Sequence, residues 1–500
     1  MNMKKTWKKL ICCVCVIMMF GLLTACGTTK RENVNEVEQP VGEITTEEIT
    51  TEEVDEPIVI TVLTDKTQLV DTKFAEYKAK FEAEQENVLV EFEAVLNYEE
   101  EMTKRLKSGD YGDVLLIPES VTNEQLVQYF EPLGTVVELG ESYNELFLQG
   151  RTVDGVVYGL PRFVNVQGIA YNEVVLSKAG VIELPQTPGE FLSVLKKIQN
   201  TQPEVIPYYT GYQNGEWLWK WQTHVWGSVA GNADYRNNGI VTQQEPFAAE
   251  TPNYIVHELL YDIVKNGLCE KFEEGENWRP IYRLMNRGDI GCMVLGSEYL
   301  HELQVAGVNP DDVSFMPFPY NIDGQQYASV ELDYCYAVNK NSENKEVAKA
   351  WIEYMLKDSG FAKSEGAISI KKKGSLPDVL SNFEDVEFVV NNRATVSNEG
   401  KYEKLNELSG IYLDKDIEKN RLILSALGES EESFEDIMND WNLRWRAALR
   451  GIRYASVKIE ESGTSDGDLL QEDSSQEAPI VEMTPEYVQF LEDIQSSVKE

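Results

Sequence analysis

Glu331 and Asp333 stand two residues apart in Val330-Glu331-Leu332-Asp333-Tyr334-Cys335-Tyr336. On a strand, residues i and i+2 share a face, about 7 Å apart. That falls inside the roughly 6.5–9.5 Å between the carboxyls of inverting glycosidases. The plainer reading is two solvated or hydrogen-bonding carboxylates, because a glycosidase pair usually comes from different strands across a cleft. A second cluster is aromatic. Tyr208, Tyr209 and Tyr212 precede Trp217, Trp219, Trp221, His224 and Trp226, so four of the nine tryptophans fall within ten residues. Sugars present flat arrays of C–H groups that pack on indole faces, while carboxylates and amides take their hydroxyls. The competing reading is a helix core, since Leu218, Trp221, Val225 and Val229 lie near one helical face. Trp221 and Trp226 fit that core, but four tryptophans exceed what packing requires, so ligand contact by at least one is expected.

Other chemistry is sparse. The three histidines, His224, His257 and His301, form no H-E-x-x-H, and no His/Cys cluster has metal-ligand spacing. There is no G-x-x-x-x-G-K-[ST] loop. Gly463-Thr464-Ser465-Asp466-Gly467 matches G-x-S-x-G, but it lies in an acidic tail rather than between a buried strand and a helix. No metal or cofactor is expected.

Net charge is −40. The first 25 residues carry Lys4, Lys5, Lys8 and Lys9 and no acid, so the rest is near −44 (−40 minus 4). Such a chain repels nucleic-acid phosphates and anionic lipid. Of seven cysteines, Cys12, Cys13, Cys15 and Cys26 lie at the start; Cys269, Cys292 and Cys335 show no disulfide framework and read as buried thiols.

The apolar run Leu10–Leu23 follows those lysines, is too short for an ordinary spanning helix, and leads into Leu23-Thr24-Ala25-Cys26-Gly27. This resembles a bacterial lipobox. The resemblance implies that residues 1–25 are a lipoprotein signal peptide and that Cys26 is lipidated and tethers the protein outside the cell. No later segment approaches eighteen uninterrupted apolar residues. Residues 26–57 read as an acidic, extended linker, and residues 456–500 as an acidic tail with one short helix at 485–498.

The elements that must hold the candidate residues begin at Ile58. The apolar runs 58–63, 88–92 and 114–117 predict strands, and helical spacing predicts helices over 73–84 and 98–106. This β-α-β-α-β order argues for a parallel sheet flanked by helices. Helices are expected over 188–198, 253–265, 282–287 and 345–356, strands over 291–295 and 331–338, and mostly helix over 376–452.

Six ordered segments carry a wider resemblance. They are Gly109-Asp110-Tyr111-Gly112-Asp113-Val114; Asp154-Gly155-Val156-Val157-Tyr158-Gly159-Leu160-Pro161; Tyr171-Asn172 with Ala179-Gly180-Val181; Pro185-Gln186-Thr187-Pro188-Gly189-Glu190-Phe191; Asn286-Arg287-Gly288-Asp289-Ile290-Gly291-Cys292-Met293; and Ala337-Val338-Asn339-Lys340 with Trp351-Ile352. In this order they resemble the extracellular solute-binding proteins of ABC importers, the maltose-binding-protein-like class that mostly takes carbohydrates. The resemblance implies an α/β, two-lobed periplasmic-binding-protein-like fold (type II), each lobe a mainly parallel sheet flanked by helices, with hinge strands between. It implies one lobe from 58–163 with 330–372 and a second from 164–329 with 373–455. By position it places ligand contacts at Asp65, Lys66, Glu119, Ser120, Asn165, Trp219, Trp221, His224, Glu298, Tyr299, Glu331 and Asp333. It implies a monomer that is no enzyme, lipid-anchored at the outer face of the bacterial membrane, which takes a sugar or oligosaccharide to ABC permease subunits. Two other readings stay open: a surface glycan-active enzyme using Glu331 and Asp333, and a solute sensor for a surface kinase. The two acids at 331 and 333 leave room for an amino sugar, a hydroxyl-rich glycan or another cationic solute.

Overall fold

The computed structural model of the protein describes residues 56–212, 217–271 and 281–454. Cys26, the leader, nearly all of the linker, the G-x-S-x-G match and the helix expected at 485–498 lie outside the described residues.

The expected strands open the first sheet. Ile58–Thr64 runs parallel to Val88–Ala94 on one side and to Val114–Leu116 on the other. Cys335–Val338 pairs antiparallel with Val114–Leu116, and Leu160–Pro161 closes the edge. The helix Lys73–Glu84 forms where Phe74, Tyr77 and Phe81 recur on one face. All three are buried, and Phe81 stands edge-on to Trp351 of the helix Lys345–Lys357, with ring centroids 5.1 Å apart. Asp154-Gly155 makes the two-residue turn between Thr152–Val153 and Val156–Val157; both residues have positive φ (50° and 77°), as a twisted hairpin demands.

The second sheet is centred on Val164–Asn172. That strand runs antiparallel to Ile290–Gly296, Val313–Met316 and Gln325–Leu332. Ile206–Tyr208 and Glu387–Val390 add parallel edges. This sheet is mixed where a mainly parallel one was expected. The reason is the connection: Val164–Asn172 enters directly from the first sheet, with no crossover helix to bring it back parallel. Around it, Pro188–Thr201 starts at a capping box, Thr187 with Glu190, and has Pro188 in its first turn. Pro252–Lys265 and Phe434–Leu449 also start at side-chain caps. The segment read as mostly helical holds three α-helices, Lys401–Ser409, Ile417–Leu427 and Phe434–Leu449, and the 3-10 helix Asp378–Phe383, but also the strand Glu387–Val390.

Two hydrophobic cores result. One fills the first sheet and continues onto one face of the second, through Met293, Leu295, Phe315 and Val330. The other holds the opposite face, through Ile169, Cys292, Val294, Trp221, Trp441 and Trp445. Cys269, Cys292 and Cys335 are free thiols; Cys292 and Cys335 are buried and Cys269 is half-buried. Among the described residues, no helix is long and apolar enough to cross a membrane.

Candidate functional site

Two chain segments pass side by side from one sheet to the other. Arg162-Phe163 leaves the first sheet and Asp333-Tyr334 returns to it. Arg162 N–H donates to Tyr334 O at 3.0 Å and Asp333 N–H donates to Phe163 O at 3.1 Å. The strand expected over 331–338 is therefore broken: Gln325–Leu332 belongs to the second sheet and Cys335–Val338 to the first. This corrects the same-face pairing of Glu331 with Asp333. Glu331 stays on the second sheet, opposite Asn165, while Asp333 turns to Arg162. The Arg162 guanidinium is almost wholly buried, at 2 % exposed; it donates to both Asp65 oxygens at 2.6 and 3.2 Å and to Asp333 at 2.8 Å. Phe163 and Tyr334 pack on it, their ring centroids 5.6 and 5.7 Å from its carbon.

Beside this crossing stand two groups of polar and aromatic side chains, one set by each sheet. On one side, Glu119 and Ser120 follow the strand Val114–Leu116 and are exposed. Glu119 N–H donates to the Glu99 carboxylate at 3.1 Å, and Ser120 Oγ lies 3.5 Å from Thr103 Oγ1. Glu99 also bonds the Tyr334 hydroxyl, and burial together with Glu99, Glu119 and Asp65 holds that phenol above its ordinary range. On the other side, Glu331 is exposed, yet the surrounding groups crowd its carboxyl. That desolvation raises its pKa; Lys220 and Arg236 oppose the rise, and Glu298 and Glu119 add to it. Glu119 on one sheet and Glu331 on the other are thus electrostatic neighbours.

The wall behind Glu331 is built from the tryptophan-rich segment. Lys220–His224 is α-helical and Val225–Val229 widens into a π turn. The wide turn lets both Gly227 N–H (2.9 Å) and Ser228 N–H (3.2 Å) reach Ser329 Oγ. A Cβ at Gly227 would come within 2.7 Å of the Ser329 Cα, so only glycine allows this approach. The helix delivers Lys220 to this wall. Its ammonium donates to Glu298 Oε1 at 2.5 Å and lies 4.5 Å from the Trp219 ring centroid and 5.1 Å from that of Tyr299. Trp217 stands edge-on to Tyr299 at 5.2 Å. Asn165 Oδ1 accepts from Ser297 Oγ at 3.4 Å, next to Glu298.

The structure thus brings together Asp65, Glu119, Ser120, Asn165, Trp219, Glu298, Tyr299, Glu331 and Asp333. Lys66 is turned to Glu365, at 3.6 Å. Trp221 and His224, expected on ligand, are core residues: Trp221 is 1 % exposed and edge-on to Tyr208 and Phe318, and His224 is fully buried and stacked on Phe318 at 4.4 Å. Helical spacing puts Trp221 on the face of Leu218 and Val225, away from Trp219, while His224, one turn beyond Lys220, is covered by Phe318. Arg162, Lys220, Glu99 and Tyr334 were missed. Four residues beyond the Asp154-Gly155-Val156-Val157-Tyr158 hairpin segment, Arg162 carries a charge inside Leu160-Pro161-Arg162-Phe163-Val164, an otherwise apolar run. That is the one signal that could have found it.

Carboxylates and aromatic rings from two α/β sheets thus gather beside the two segments that join the sheets. The chain belongs to the bacterial extracellular solute-binding protein family, whose model matches residues 66–360. Among solved structures, it is similar to BlMnBP1, a binding protein of an ABC transporter from Bifidobacterium animalis subsp. lactis in complex with mannobiose. The two are 30 % identical with a TM-score of 0.65, over 79 % of this chain and 96 % of that one. Diacetylchitobiose binding protein DasA of Streptomyces coelicolor is 24 % identical over 245 residues, 47 % of this chain and 54 % of that protein. A carbohydrate ABC transporter substrate-binding protein of Streptococcus pneumoniae is 28 % identical over 125 residues, 23 % of this chain and 25 % of that protein. The chain therefore spans about half or less of the length of these two curated relatives.

Proposed function

We propose that the protein is a lipid-anchored extracellular receptor that captures a sugar or oligosaccharide in a recess between these two groups and presents it to an ABC permease. The observation that carries the reading is the pair of half-buried rings Trp219 and Tyr299 gathered around Lys220, with the exposed Glu331 as an electrostatic neighbour. It offers a stacking surface beside hydrogen-bond acceptors, the chemistry a pyranose needs. The bound sugars and names of the similar proteins support the same class. Residues 58–163 with 333–372 form one lobe and 164–332 with 373–454 the other, the boundary expected at 330 moving to 333 because Gln325–Leu332 pairs within the second sheet. The ligand closes the two lobes about the crossing at Arg162-Phe163 and Asp333-Tyr334. Cys26 carries the lipid at the outer face of the membrane, and the acidic linker keeps a monomeric receptor within reach of its permease. The Arg162 contact occupies Asp333, which counts against a catalytic pair with Glu331.

The test is a thermal-shift screen of the chain from Gly27 against manno-, chito- and malto-oligosaccharides and raffinose. A ligand at 100 times its Kd stabilises by about 2.7 kcal/mol, so a clear rise in Tm is expected for at least one glycan. No shift and no tryptophan fluorescence change across the panel overturns the reading; turnover of a bound glycan would replace it with the enzyme.

Two substitutions test the wall. Trp219→Ala is expected to cost about 2 kcal/mol of binding, roughly thirtyfold, with little change in Tm. Trp221→Ala is expected to do the reverse, lowering stability through a core cavity. Calorimetric titration and melting of both variants check the pair. Glu331→Gln removes a charged acceptor, a loss of about 1.5–3 kcal/mol. Because the Glu331 carboxyl is held above its ordinary range, wild-type affinity should begin to fall on acidification before an ordinary carboxylate would titrate. That limb should vanish in Glu331→Gln; titrations across pH decide it.

A further inference from the structure

Lysine is almost never fully buried unless it is paired, and Lys220 is 1 % exposed. Its ammonium is enclosed on several sides. The Glu298 carboxylate is at 2.5 Å, the Trp219 face at 4.5 Å and the Tyr299 face at 5.1 Å. Glu331 is near enough to favour its charged form. Two aromatic faces with two carboxylates make a cage of the kind that holds organic ammonium ions. The cage is also part of the recess: Trp219 and Tyr299 are half-buried and Glu331 is exposed. It is filled from behind, by the protein's own side chain. Burial works against that charge, but Glu298 and Glu331 outweigh it, so the cation persists.

We propose that Lys220 is a specificity-determining residue: its tethered ammonium occupies the aromatic–carboxylate cage, bars ligand cations from it, and turns an acidic recess toward uncharged sugars. The ligand class rests on the carbohydrate reading above; the cage itself does not. A chain of net charge −40 would otherwise draw cationic solutes into a recess bearing Glu99, Glu119, Glu298 and Glu331. With Lys220 in place, an incoming ammonium meets a like charge where the cation–π and carboxylate contacts converge. An uncharged pyranose meets the remaining exposed parts of the same rings without that repulsion.

The experiment uses the full soluble chain from Gly27, as wild type, Lys220→Ala and Glu298→Gln. The first probe is n-propylammonium chloride, with sodium chloride as control. It is expected to raise the Tm of Lys220→Ala and to leave the wild type unchanged, because only the variant has an empty cage. The second probe is a matched pair, N,N′-diacetylchitobiose and its deacetylated, protonated form, titrated at mildly acidic pH. The wild type is expected to favour the acetylated sugar at least tenfold, and Lys220→Ala to narrow that ratio at least tenfold. Glu298→Gln leaves the ammonium without its partner and should widen the ratio severalfold, which keeps the proposal testable if Lys220→Ala folds poorly. A propylammonium response equal in wild type and variant, or a ratio unmoved by either substitution, overturns it. If neither sugar binds any form while propylammonium restores Lys220→Ala, the cage stands and the carbohydrate reading falls.

Discussion

Arg162→Met is expected to lower stability by about 3–5 kcal/mol at neutral pH, the largest loss of any single change in the recess. The guanidinium is 2 % exposed and its partners, Asp65 and Asp333, are 21 % and 14 % exposed at their side chains. Methionine fills the space of the aliphatic stem and leaves two carboxylates facing each other with no cation between them. The loss is more than local. Asp65 follows the first strand and Asp333 sits where the chain returns from the second sheet, so the same side chain ties both segments to the crossing. Ligand affinity should fall with stability, because the hinge geometry that aligns the two walls goes with it. Arg162→Met with Asp65→Asn and Asp333→Asn, which removes all three charges, should recover much of the loss. Denaturant unfolding at neutral pH checks this; a variant within about 1 kcal/mol of wild type would show that the ion pair carries no hinge.

Why the sequence shows some of this and not the rest follows from the range of the forces. The helix Lys73–Glu84 is legible because Phe74, Tyr77 and Phe81 encode its buried face within a dozen residues. The Asp154-Gly155 turn is legible because its positive φ values select those residue types. The wall helix was partly legible: Leu218, Trp221, Val225 and Val229 share a face and all are buried. The break between Leu332 and Cys335 was not. No glycine or proline marks it, and it forms only because Arg162-Phe163 runs alongside and competes for its backbone bonds. The strand Glu387–Val390 was read as helix for a similar reason: its pairing partner, Gln325–Leu332, is about sixty residues away in the chain.

The same division holds within the site. Glu331 and Trp219 could be named from the chain by type and spacing, whereas Asp65 and Glu298 are placed only by the family resemblance. Arg162 and Lys220 could not be named, because what makes each unusual is burial against a remote partner. Arg162 meets acids 97 and 171 residues away, and Lys220 meets one 78 residues away. Those two cations set the character of the recess, since they decide which of its carboxylates remain free for ligand. Arg162 is paired with Asp65 and Asp333, and Lys220 with Glu298, which leaves the exposed Glu119 and Glu331 open.

Stability is expected to fall by about 4 kcal/mol between pH 7 and pH 5 through two histidines alone. His224 is fully buried, stacked on Phe318, with Nδ1 3.2 Å from Ser228 Oγ. His257 is fully buried, edge-on to Trp441, and its Nδ1–H donates to Asn253 O at 2.7 Å. Neither Nε2 has a hydrogen-bond partner among the described residues. Burial first, and then the charge of Lys220 for His224 and Lys419 for His257, push both imidazoles down to about 3. Both folded values lie below the unfolded value of roughly 6.5, so the unfolded chain takes up protons first. The contribution is fully present above that unfolded value and is lost as pH falls toward the folded one, about 2 kcal/mol per histidine by pH 5. Glu270 and Asp416, held above their ordinary ranges by burial, titrate with the opposite sign, so the variants isolate the effect. His257→Leu should reduce the slope of stability against pH by one proton, and His224→Leu with His257→Leu by two. The His224 and His257 imidazole resonances of the folded protein should stay neutral at pH 5; either of them titrating near pH 6.5, or single variants that keep the wild-type slope, would remove the account. The functional consequence is specific to His224. It lies one helical turn from Lys220 on the segment that carries Trp219, so a proton forced onto it would set a second positive charge under the wall of the recess. His224→Leu should therefore bind ligand to lower pH than the wild type, whereas His257→Leu should not.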